Sequence, residues 1–118
     1  MSFATHEAYF ASAPAPVRPL LERIQAEVEL RVPGALRCIG YHMPAYRQAR
    51  IFFYFAAFRK HIGVYPPLGQ DTGLIAECAR YRGPKGNLSF PLAEPLPIDL
   101  IGRVAVALAA QYAAGKKQ

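Results

Sequence analysis

Residues 51–58, IFFYFAAF, are the most apolar segment of this 118-residue chain. Four of these eight are phenylalanine, and the Tyr54 hydroxyl is the only polar side-chain group. Eight residues are short for a helix, and aromatic side chains favour a pleated surface. The octet therefore reads as a central strand buried on both faces. Arg59, Lys60 and His61 follow as a turn, and Ile62 to Tyr65 returns beside the octet as the second arm of a hairpin.

Upstream of this hairpin, Tyr46 to Arg50 reads as a polar turn. Ala35 to Tyr41 is a first strand, with Leu36, Cys38 and Gly40 on one face and Arg37, Ile39 and Tyr41 on the other. His42, Met43 and Pro44 interrupt it, because proline cannot donate to a sheet ladder. Before it, Val17, Leu20, Leu21, Ile24, Val28 and Val32 recur at helical spacing, and Pro33 with Gly34 ends that helix. Pro16 and Pro19 are tolerated at its start, where the first turn has no donors to lose. Thr5 caps a short opening helix that Pro14 and Pro16 break.

Downstream, Pro66, Pro67 and Gly69 form a loop, and Asp71 or Thr72 caps a helix whose core side is Leu74, Ile75, Cys78 and Tyr81. Gly83, Pro84 and Gly86 mark another loop, and Asn87 to Phe90 is a short strand. Pro97 opens a final helix with Asp99 in its first turn and a buried stripe of Ile101, Val104, Ala105, Leu108 and Tyr112. Gly115 ends it, and residues 116–118 are a loose tail. The order is helix, three strands, helix, strand, helix. That is an α+β domain whose mainly antiparallel sheet carries its helices on one face.

The length fits one domain, residues 1–118, and 53% apolar against 19% charged residues is ordinary globular composition. No apolar run approaches the roughly 20 residues of a membrane helix, and MSFATHEAYF lacks the pattern of a signal peptide, so a cytoplasmic location is expected. Cys38 and Cys78 stand too far apart for a metal or redox motif and read as two small buried hydrophobes. The net charge of +6 sits in the middle: residues 35–90 hold eight Lys and Arg against Asp71 and Glu77. If those cations share a face, they form an anion-attracting surface.

Taken in order, YHMPAYR (41–47), YFAAFRKHIGVYP (54–66), KGNLSFPL (85–92) and PLPIDLI (95–101) resemble the YdhG-like proteins of domain-of-unknown-function family 1801. Some of these are described as frataxin-like intracellular iron chaperones. The resemblance runs from about Thr5 to Tyr112 and implies a two-layer sandwich with a sheet of about four to five strands. It also implies a non-enzymatic protein that binds and delivers iron. The family pattern has glycine where this chain has His42, and often threonine where it has Asn87. Frataxin-type iron handling uses a ridge of carboxylates on the first helix, whereas Glu22, Glu27 and Glu29 here alternate with Arg18, Arg23 and Arg31.

Several chemistries remain to be placed. His42 and His61, with Tyr41 or Tyr65, are the candidate ligands for iron or another transition metal, since imidazole suits such ions. Tyr41, Met43, Arg47, Tyr65 and Lys85 are the candidate ligand-binding residues, and Arg59, Lys60, Arg80 and Arg82 the candidate anion-binding ones. The alternative function is an anion or nucleic-acid binding module on the basic middle segment, with Tyr46, Tyr65 and Tyr81 stacking on bases. A third reading is a pocket between the sheet and the loops around Met43 and Pro84. No serine has a nucleophile-elbow context and no glycine loop has phosphate-binding spacing, so no catalytic residues are assigned.

Overall fold

The phenylalanine octet supplies β3 (Ile51–Ala57), the middle strand of a five-stranded antiparallel sheet, in the computed structural model of the chain, which describes residues 3–113. Its neighbours are β1 (Leu36–Gly40), β2 (Met43–Arg47), β4 (His61–Tyr65) and β5 (Leu88–Pro91), and the strands lie in chain order. Four helices complete the α+β fold: α1 (His6–Ser12), α2 (Arg18–Arg31), α3 (Thr72–Glu77) and α4 (Ile98–Leu108). A π-helical turn, Ala109–Ala113, continues α4. The expected end of that helix at Gly115 and the tail after it lie outside the described residues.

The capping residues act as their chemistry dictates. Thr5 Oγ1 accepts from the Ala8 N–H at 3.1 Å, and Asp71 Oδ1 accepts from the Leu74 N–H at 3.0 Å, which satisfies donors that the first turn leaves free. Ile101, Val104, Ala105 and Leu108 of α4 are buried as the helical period predicts.

The largest correction concerns residues 42–50. Met43 to Arg47 is a strand, so a tight hairpin replaces the interruption at His42 to Pro44, and the polar turn expected from Tyr46 to Arg50 is confined to residues 48–50. Gly40 pairs with Met43 across Tyr41 and His42, whose φ angles are +52° and +64°. Positive φ at both central residues marks the turn that matches the twist of paired strands, and it normally selects Asn-Gly. Neither residue is the glycine that adopts this conformation freely, and glycine at position 42 would relieve it. Pro44 is accommodated because the β2–β3 ladder begins only at Ala45.

The alternation of each strand sorts its residues onto two unlike faces. One face packs on the helices: Tyr46, Phe53, Phe55, Ile62, Val64, Leu88 and Phe90 are buried there with Leu21, Ile24 and Val28 of α2. An extra residue in β3, Phe52, opposes the step between Tyr46 and Arg47 as a β-bulge and is also fully buried. The other face presents Ile51, Tyr54 and Ala56 of β3, with Phe58 beyond its end. Ile51 and Tyr54 are only half-buried, and Phe58 is 42% exposed. The octet is therefore shielded by helices on one face, not on both as its composition suggests.

Candidate functional site

Glycine shapes the uncovered face. Gly40 and Gly63 have no Cβ, and aromatic rings occupy the space one would fill. A Cβ on Gly40 would meet the Tyr54 ring at 2.8 Å, and one on Gly63 would meet the Tyr65 hydroxyl at 2.8 Å and the Phe58 ring at 3.0 Å. The three rings thus lie down across the sheet. Tyr54 pairs with Tyr65 in register, Tyr41 stands with its centroid 5.7 Å from that of Tyr54, and His61 stacks on Phe58 at 4.9 Å. Tyr41, presented by the strained turn, is 81% exposed. The result is an aromatic pavement that runs from the β1–β2 turn across β3 to β4.

The charge on this face is as distinctive as its shape. The sequence holds no Asp or Glu between Glu29 and Asp71, a span that includes β1 to β4, and β5 has none either. The carboxylates sit on the helices and their loops, where Arg31 pairs with Glu27 and Asp99, Arg37 with Glu7 and Glu29, Arg80 with Glu94, and Arg103 with Glu77. Arg47 leaves β2 on the uncovered face, and Arg59 and Lys60 form the exposed tip of the β3–β4 hairpin. Among the described residues none of these three meets a carboxylate within ion-pair reach.

The sequence-predicted residues divide accordingly. Tyr41, Met43, Arg47 and Tyr65 share the uncovered face, while Lys85 lies in the loop before Gly86, which packs on Pro67. Of the anion-binding set, Arg59 and Lys60 stay together at one end of the sheet. Arg80 is held by Glu94 and the Tyr81 hydroxyl, and Arg82 lies against Gly86. His42, in the β1–β2 turn, and His61, the first residue of β4, are at the same end of the sheet. Among the described residues no three His, Cys, Asp or Glu side chains converge as metal ligands. One concavity lies beneath α1 beside Arg37 and Cys38 and another between α3 and α4, both away from Met43 and Pro84.

Tyr46 is the plainest correction to the stacking set. It is fully buried, and its hydroxyl donates to Glu29 at 2.6 Å, so it cannot meet a base. Burial and that carboxylate push its hydroxyl above the ordinary tyrosine range. Tyr54 and Phe58 are the rings of the octet on the uncovered face, and the signal for them was the period-2 alternation within the octet itself. Cys78 is buried as expected but Cys38 only half-buried, and desolvation raises both thiols, which keeps them protonated and poorly nucleophilic.

A buried histidine escaped the sequence reading. His6 Nε2 lies 3.1 Å from the Cys38 carbonyl and 3.0 Å from that of Ala45, so it donates to them, while Nδ1 accepts from the Gln25 amide at 3.1 Å. Desolvation lowers its pKa, so the ring is neutral and fastens α1 to β1, β2 and α2. Its position among helical residues gave no sign of this.

No protein-family profile matches the chain, and no curated protein matches it. Its structure is similar to the crystal structure of a protein from the DUF1801 family, YdhG of Bacillus subtilis, with a TM-score of 0.80 and 15% sequence identity, covering 96% of this chain and 94% of that one. The likeness extends to the whole α+β fold. Among the described residues no helix is long and apolar enough to cross a membrane.

Proposed function

We propose that this protein is a non-enzymatic binding module that takes an anionic ligand on the uncovered face of its sheet. What supports this reading is the partition of charge. The carboxylates are spent on the helical side, while Arg47, Arg59 and Lys60 border an aromatic face that carries no negative group. Such a surface attracts anions at long range and holds them by charge-assisted hydrogen bonds.

Retention on a heparin column tests the reading. Affinity for a polyanion falls linearly with salt on logarithmic axes, with a slope set by the number of cations engaged. The double variant Arg59→Glu, Lys60→Glu is expected to elute at much lower salt than the same change at Arg18 and Arg23 on α2. Equal elution of the two variants would mean that net charge alone governs retention, and the reading would fail.

Iron handling is a second reading, supported by the family resemblance and by His42 and His61 at one end of the sheet. Titration calorimetry with ferrous and ferric iron tests it, and a Kd weaker than about 1 mM, near −4 kcal/mol, removes it.

A further inference from the structure

We infer that the ligand of the uncovered face is single-stranded nucleic acid, with bases stacked on the Tyr41, Tyr54 and Tyr65 rings and phosphates held by Arg47, Arg59 and Lys60. This inference rests on the anion-binding reading above and adds what the anion must carry. A bare polyanion needs only cations. This face also offers flat rings laid across Gly40 and Gly63, and stacking on such rings is how single strands are bound without regard to sequence.

The geometry favours this occupant over others. Tyr54 and Tyr65 are register partners on adjacent strands, the Tyr54 ring reaching over Gly40 of β1, where the Tyr41 centroid stands 5.7 Å from it, and the Tyr65 ring lying over Gly63 of β4. Cations stand at the two ends of the strands that this row crosses: Arg59 and Lys60 at the β3–β4 hairpin tip and Arg47 at the far end of β2. Duplex bases are already stacked on one another and cannot use the rings. A second copy of the chain would bring the same cations and no carboxylate to the contact. An anionic membrane would be served by protruding apolar side chains, whereas these rings lie along the sheet.

Fluorescence anisotropy of labelled oligothymidylate and oligouridylate, 12 nucleotides long, tests the inference beside a duplex and an inorganic polyphosphate of matching charge. Tyr41→Gly removes a ring at a position where glycine relaxes the backbone, and Tyr54→Leu keeps bulk while removing the aromatic face; thermal melts confirm that both fold. Either single strand is expected to bind at least about tenfold more tightly than polyphosphate, and each variant to weaken it at least about fivefold. Polyphosphate binding should be unchanged by both. The chain has seven tyrosines and no tryptophan, so quenching of tyrosine fluorescence on binding is a second readout.

Single strand, duplex and polyphosphate bound alike, or aromatic variants without effect, overturns the inference and leaves the anion reading standing. Binding to phosphatidylserine vesicles without binding to either oligonucleotide also overturns it. Failure to bind any polyanion removes both.

Discussion

The two faces of the sheet are built from the same five strands and obey opposite rules. On the helical face, Tyr46, Phe53, Phe55 and Phe90 are sealed from water, and every polar group that enters has a partner, as His6 and Tyr46 do. On the other face the aromatics lie over glycines with one side toward solvent, and among the described residues Arg47, Arg59 and Lys60 meet no carboxylate. The first face is organised for stability, and the second is the one proposed above to bind. Aromatic content alone does not distinguish a core from a surface that binds; what distinguishes them is where the carboxylates and the helices were placed.

The sharpest way to break this comparison is to truncate one phenylalanine on each side. Phe55→Ala is expected to cost about 3–5 kcal/mol, because it opens a cavity among packed rings, whereas Phe58→Ala should cost below about 1 kcal/mol. Urea denaturation measures both, and equal costs would show that the uncovered face is part of the core.

Next in size is His6→Ala, expected to cost about 2–3 kcal/mol by leaving the Cys38 and Ala45 carbonyls and the Gln25 amide without their partner. The same residue sets a pH dependence. Its folded pKa lies below the 6.5 of the unfolded chain, so the unfolded state takes up a proton first. Its contribution is intact above 6.5 and is lost as the pH falls below that value toward the folded pKa. Glu29, whose pKa the Arg37 guanidinium lowers, adds a further loss below 4.5. In denaturation at stepped pH, the His6→Ala variant should lack the first of these slopes and keep the second.

A smaller effect, of the opposite sign, is expected at the β1–β2 turn. His42→Gly relieves a side chain held at φ +64° and should stabilise the fold by about 0.5–1 kcal/mol. Loss of stability in the thermal melt would mean that the His42 side chain makes a contact worth more than the strain. Smallest of all, Arg59→Glu with Lys60→Glu should leave the urea midpoint unchanged within about 0.5 kcal/mol. A larger shift would tie the hairpin tip to folding and weaken its assignment to binding.

Much of this was written in local sequence. Thr5 and Asp71 declared their helices because a side-chain oxygen three residues ahead of a free N–H is a local signal, and the stripe of α4 followed from spacing alone. The strand at residues 43–47 was hidden because proline and a polar run look like a break. Only the partner strand reveals that Pro44 lies beyond the β2–β3 ladder and that Tyr46 points into the core. The long carboxylate gap was legible, but its meaning depended on where the helices packed.

By itself the sequence determined the α+β class, the central place of the phenylalanine octet and the excess of positive charge in the middle of the chain, since each depends on composition or on a period of a few residues. The tertiary structure decided which side of every strand the helices would cover, that His6 and Tyr46 would be buried with polar partners, and that Tyr41, Tyr54 and Tyr65 would share one surface. A strand's alternation divides its residues into two sets, but which set is hidden is settled only when distant segments pack against it.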